Sequence, residues 1–184
     1  MTDRRWRVLA SEMALDHRWY AVRRDTVELP DGTIDEYFVS VRADVVVVVP
    51  VDKSNQVVMV RQYKHGVGQV TLEFPAGIIT DEPPDAAALR ELEEETGYVP
   101  ERMEYLGQCF DEASKNTNTV HMYLAHGCEP RGKQQLERME QAAGLEVLLV
   151  PMERVVSGLD SGEIASLSSV AAGYRAMRRL FPSQ

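Results

Sequence analysis

The apolar and polar positions in the first third of the chain read as strands. Residues 17–29 (HRWYAVRRDTVEL) are rich in aromatic and β-branched side chains; Pro30-Asp31-Gly32 supplies a turn, and residues 33–41 return as a second strand. Residues 45–51 form a continuous apolar run, the pattern of a strand buried on both faces. A turn over 52–55, a strand over 56–62 and a short strand over 73–77 that ends in a loop follow. Residues 85–96 predict a helix: Pro83 and Pro84 suit its first positions, Asp85 suits its positive end, and Gly97 stops it. Residues 105–110 and 119–125 read as strands around a polar loop at 111–118. Residues 134–142 read as either a helix or an ordered loop, 145–150 as a strand, 151–157 as the start of a short helix, and 169–180 as a C-terminal helix with a basic end (Arg175, Arg178, Arg179). Strands, a central helix, more strands and a closing helix define a mixed α+β class.

Composition narrows the function. The chain has 184 residues, enough for one domain with a terminal extension, and its 44% hydrophobic content supports a packed core. A formal net charge of -9 excludes gripping nucleic acid by bulk charge and argues against docking on anionic lipid. No stretch approaches the ~20 apolar residues of a membrane span, and the charged start is followed by no apolar signal region. Cys109 and Cys128 make neither a disulfide framework nor a CxxC motif. Reduced thiols and a cytoplasmic location are the expectation.

The informative segment is Arg90-Glu91-Leu92-Glu93-Glu94-Glu95-Thr96-Gly97. On a helix, Glu91, Glu94 and Glu95 fall within about a 100° arc, because i, i+3 and i+4 share a face. Leu89 and Leu92 turn toward a core, and Glu93 toward solvent. Like charges at i, i+4 repel by roughly 0.2–0.5 kcal/mol per pair. Anions in the last turn also oppose the helix dipole, by about 0.3–1 kcal/mol each. Arg90 offsets only part of this. A Glu-rich helix is ordinarily a solvated acidic face. Here the cluster sits where the dipole opposes it, just after a glycine-containing loop, and a divalent cation reverses the sign of both penalties. Hard Mg²⁺ accepts several carboxylate oxygens together with waters.

From Gly77 to Tyr98 the sequence resembles the signature of the Nudix hydrolases, G-x5-E-x7-R-E-U-x-E-E-x-G-U, where U is a bulky apolar residue. Glu82-x7-Arg90 and everything after it match; Gly77 and Glu82 are separated by four residues instead of five. Residues 60–65 (VRQYKH), residues 72–77 (LEFPAG) and the N-terminal strand pair with its Leu29-Pro30-Asp31-Gly32 turn are similar to the branch that cleaves ADP-ribose and nucleoside diphosphate sugars. The resemblance covers roughly residues 6–181. It implies an α/β/α sandwich, with an N-terminal β extension over residues 1–42 ahead of a hydrolase domain over 43–184. It also implies a homodimer in which the extension helps form the partner's nucleoside site.

Carried over by position, the resemblance makes Glu91, Glu94, Glu95 and the carbonyl of Ala76 ligands for Mg²⁺, with Mn²⁺ as a substitute. Arg90 and Glu82 orient the carboxylates, and Arg61 lies near the diphosphate or its sugar. Trp6, Trp19 and Tyr20 are candidates either for stacking on the base or for ordinary packing. The implied reaction is attack of water on one phosphorus of an ADP-ribose- or ADP-glucose-type substrate, giving a nucleoside monophosphate and a sugar phosphate. Where the family often has a glutamate as base, this chain has Ala143. Glu140 is the preferred replacement, with Glu137, Glu112 or a glutamate of the box as alternatives. His65, His121 and His126 lack zinc spacing, and Gly66-Val67-Gly68 lacks the rest of a dinucleotide fingerprint. Residues 114–118 are either a phosphate contact or a mobile loop. Two competing functions stay open: hydrolysis of other diphosphates, such as dinucleoside polyphosphates or NADH, and a non-catalytic nucleotide-sugar sensor.

Overall fold

The computed structural model describes residues 4–182, which cluster into two compact units. Residues 1–3, at the start of the expected extension, and 183–184 lie outside the described residues. The first unit runs to Ala43 and takes in Phe110–Thr119 from mid-chain. It carries an antiparallel sheet in the order β1 (Arg7–His17), β2 (Tyr20–Glu28), β3 (Ile34–Val41). The strand expected from residue 17 therefore begins at Tyr20, after a turn at Arg18 and Trp19 that no glycine or proline marks. β1 is absent from the sequence expectations for a physical reason. All eleven of its residues are exposed, so burial imposes no alternation, and only pairing with β2 defines it. Asp25 is buried on β2, where Arg23 and Ser11 hold its carboxyl below the usual range. The 111–118 loop is pinned to β3: Ser40 N–H donates to Lys115 O at 2.8 Å, and Thr117 N–H to Ser40 O at 3.1 Å.

In the second unit the chain forms β4 (Val45–Asp52), β5 (Gln56–Lys64), β6 (Gln69–Glu73), β7 (Ala76–Ile78), α1 (Pro84–Thr96), β8 (Tyr98–Val99) and β9 (Arg102–Phe110). It continues through β10 (Thr119–Pro130), α2 (Arg138–Ala142), β11 (Glu146–Pro151), α3 (Met152–Ser161) and α4 (Leu167–Leu180). The sheet order is β11-β5-β4-β10-β8, with β6 on β5, β7 on β4 and β9 on β10. β10 runs parallel to β4; the β10–β8, β11–β5, β4–β5, β4–β7 and β5–β6 pairs are antiparallel.

β4 alternates between two cores. Val46 and Val48, with Tyr123 and Ala125 of β10, pack against Ala87, Ala88 and Leu92 of α1. Val47, Val49 and Val51, with Met122 and Leu124, pack against Val155 and Leu159 of α3 and Ala172 and Ala176 of α4. Each fully buried valine contributes about 1.5–3 kcal/mol of transfer free energy. The result is the expected sandwich of helix, sheet and helix. Leu89 departs from expectation: it is 39% exposed, and the small Ala87 and Ala88 take the sheet-facing positions beside Leu92. The strand expected over 73–77 is two strands broken at Phe74-Pro75. There Pro75 O accepts from Val48 N–H at 2.9 Å and Phe74 N–H donates to Ser169 Oγ. Only residues 138–142 of the 134–142 stretch are helical, and β8 is an addition. Both cysteines are free. Among the described residues no helix is long and apolar enough to cross a membrane.

Candidate active site

α1 starts with Pro84 and places Asp85 in its first turn. It ends on Gly97 at φ 73°, whose N–H donates to Glu93 O at 2.7 Å. With Ala87, Ala88 and Leu92 on the sheet, Glu91 and Glu95 are buried, Glu94 is half-buried and Glu93 is exposed. Arg90 organises the edge between them. Its guanidinium donates to Glu82 Oε1 at 2.7 and 2.9 Å, to Glu91 Oε1 and Glu94 Oε2 at 2.8 Å each, and to Ile78 O at 3.1 Å. These bonds, above all those to Glu82, raise its pKa further. The loop one residue shorter than the signature thus still delivers Glu82 to Arg90.

Burial raises the pKa of Glu91, with Arg90 opposing and the charges of Glu94 and Glu140 adding. Glu95 is pushed up to about 8, first by burial; the Ala76 N–H, donating at 3.0 Å, opposes this, and the charges of Glu140 and Glu91 add to it. Gly77 underlies this cluster. A Cβ there would stand 1.9 Å from the carboxyl carbon of Glu91, so only a hydrogen fits. Gly77→Ala should displace that carboxylate and lower turnover at least roughly tenfold, with a melting temperature changed by only a few degrees. Steady-state kinetics beside a thermal melt checks both.

Next to the cluster lies a cavity of about 480 Å³ bordered by Gln62, Lys64, Ala76, Glu95, Glu140 and Ala143. Lys64 Nζ is 3.2 Å from Glu73 Oε2, and the buried Glu73 also accepts from Thr71 Oγ1 at 3.0 Å, so the lysine is tethered at the cavity wall. Glu140 sits at the third position of α2, its carboxylate accepting from Glu137 N–H at 2.7 Å in a reciprocal cap with Glu137. Arg61 is exposed and pairs with Glu146 at 2.6 Å, outside the cavity wall. In the first unit, Trp6 stands edge-on to Tyr37, Tyr20 bonds Ser40 at 2.8 Å, Trp19 is at a turn under the Arg18 guanidinium, and Glu112 accepts from Ser114. Gln62 and Lys64 were not singled out by the sequence, although strand periodicity sets them on the opposite face of β5 from Arg61.

Among the described residues, no three His, Cys, Asp or Glu side chains stand together as a ready metal site. Arg90 bridges Glu91 and Glu94 instead. The chemistry of the donors nevertheless fits a hard divalent cation: all are oxygens, and Glu91 and Glu95 are buried carboxylates, the charge of Glu91 adding to the rise at Glu95.

Comparison with known proteins identifies the family. Residues 41–167 match the NUDIX domain model, and residues 6–40 match the nucleoside diphosphate sugar hydrolase N-terminal domain. The first match spans more than half of the chain, which belongs to the Nudix hydrolase family. An ADP-sugar pyrophosphatase of Mus musculus is 32% identical, over 84% of this chain and 77% of that protein. A methanol dehydrogenase activator of Bacillus methanolicus is 33% identical, over 76% and 72%. An ADP-ribose pyrophosphatase of Mycobacterium tuberculosis is 28% identical, over 93% and 83%. A crystal structure of an ADP compounds hydrolase superposes with a TM-score of 0.85 at 21% identity, over 100% of this chain and 98% of the other, and shares its fold.

Proposed function

We propose that this enzyme hydrolyses the diphosphate linkage of a nucleoside diphosphate sugar of the ADP-ribose or ADP-glucose type, yielding a nucleoside monophosphate and a sugar phosphate. The observation that carries the reading is a desolvated carboxylate cluster, ordered by Arg90, that opens into a cavity with a tethered lysine. Glu91, Glu94, Glu95 and the carbonyl of Ala76 would hold Mg²⁺, or Mn²⁺ in its place. Such an ion supplies positive charge against the diphosphate and acidifies water.

The chain's own groups do the rest. Lys64, fixed by Glu73, places an ammonium against the diphosphate oxygens. Arg90 bridges Glu91 and Glu94 and orients their carboxylates. Glu140 accepts the proton of the attacking water as its oxygen bonds to one phosphorus and the bridging P–O bond breaks. Freeing Glu140 from the Glu137 N–H disturbs only α2, which has no buried residue. Trp6 and Tyr20 are held by Tyr37 and Ser40 with much of each ring exposed, and we assign them to the base. Arg61, at the end of the Glu146 pair, is assigned to the sugar side.

A homodimer fits the first unit. Its sheet exposes Val8, Leu9, Met13, Leu15, Ile34 and Phe38, and apolar side chains gathered at a surface mark an interaction face. A cytoplasmic site of action accords with two free thiols. Purified protein with Mg²⁺ should release AMP from ADP-ribose or ADP-glucose faster than from a dinucleoside polyphosphate or NADH, and a chelator should stop it. Binding of these substrates without product would instead favour the sensor.

A further inference from the structure

β9 and α4 border a second cavity, of about 390 Å³, lined by Leu106, Arg175, Arg178 and Arg179; none of these residues borders the catalytic cavity. We propose that it is a binding site for a phosphate dianion, either free or as the terminal group of a phosphate monoester.

Three arginines line one opening in a chain whose net charge is -9. Among the described residues, Glu104 is the carboxylate paired with them, to Arg179 at 2.6 Å, and it is shared with Arg102 at 3.2 Å and His126 at 3.1 Å. Positive charge is therefore in surplus at the cavity. The helix dipole accounts for cations in the last turn of α4, at about 0.3–1 kcal/mol each. It does not account for Arg175, which lies before that turn, nor for repulsion between Arg175 and its i+3 and i+4 neighbours Arg178 and Arg179.

The groups are also pre-positioned. Arg175 donates from Nη1 to Leu106 O at 3.1 Å and from Nη2 to Gln108 O at 3.4 Å. It reaches them across Gly107, which sits at φ +103° and where a Cβ would stand 2.6 Å from Arg175 Nη1. Arg179 is fixed through Nε. A guanidinium carries five N–H donors, so both anchored residues keep donors to spare. Among the described residues the Arg178 side chain makes no hydrogen bond or ion pair, so its whole fork is on offer. A tetrahedral dianion can accept from three such forks at once, turning the mutual repulsion into attraction.

The test is titration of inorganic phosphate and of ribose 5-phosphate into the full-length protein without divalent cation, followed by calorimetry. Wild type, Arg178→Glu and Lys64→Ala are compared, the last reporting on the catalytic cavity. Among the described residues no hydrogen bond or ion pair of the Arg178 side chain is lost, and circular dichroism verifies that its variant folds. The expected result is binding that survives Lys64→Ala and weakens at least roughly tenfold in Arg178→Glu. Binding of both probes supports recognition of the bare dianion; binding of ribose 5-phosphate alone supports recognition of the ester. Absence of binding, indifference to Arg178→Glu, or loss on Lys64→Ala would overturn the proposal.

Discussion

Glu94→Gln is expected to lower turnover of ADP-ribose by roughly 10²–10⁴-fold, the loss of several kcal/mol of transition-state stabilisation that a displaced divalent cation entails. The substitution is nearly isosteric. Its amide oxygen can still accept from Arg90, which donates to Glu94 at 2.8 Å, so the guanidinium keeps its bonds to Glu82 and Glu91. Glu94 is only half-buried, and the melting temperature should move little. What changes is one negative charge. Glu93→Gln, one residue away on the exposed face of α1, removes the same charge and should leave the rate within about twofold. Equal rates for Glu94→Gln and Glu93→Gln would defeat the assignment of the cation-holding face.

The second large effect is on stability. Glu95 is 3% exposed with a pKa of about 8, so the cation-free fold holds a proton there that the unfolded chain releases near 4.5. For an acid whose folded pKa is raised, the stabilising contribution is complete below the unfolded value and is lost as pH rises through the folded one. Cation-free wild type should therefore weaken between about pH 4.5 and 8, by an amount on the order of a few kcal/mol. Glu95→Gln carries no such proton, and its amide can still accept from the Ala76 N–H. Above pH 8 the cation-free variant should be the more stable protein, and near pH 5 the two should coincide. Excess Mg²⁺ should reverse the order, because the ion stabilises only the chain that binds it. Denaturant melts at pH 5 and 8.5, with and without Mg²⁺, give the comparison; a wild type indifferent to pH would refute the burial argument.

Legibility in the sequence followed how local the determinant was. α1 was readable because Pro83, Pro84, Asp85 and Gly97 punctuate it and its glutamates recur at helical spacing. β4 was readable because an unbroken valine run has few places to go except between two layers. β1 was not, since its identity lies in pairing with β2 and its exposed side chains bear no pattern. Leu89 misled because the helix approaches the sheet through alanines, a property of inter-element distance. Lys64 escaped for a similar reason. It is an ordinary strand-end lysine until β6 pairs with β5 and sets Glu73 within reach of it.

The double alternation of β4 ties packing to chemistry. Its Val47 is in register with Ala76, and the N–H of Val48 holds Pro75, while the side chains of those same valines fill opposite interiors. A slip of one residue would swap the two interiors and carry the Ala76 carbonyl away from α1. A shift in the hydrophobic filling on either side is thus transmitted within one peptide unit to the Ala76 carbonyl. Packing of both interiors and the placement of the Pro75–Ala76 segment are therefore set by the same few valines.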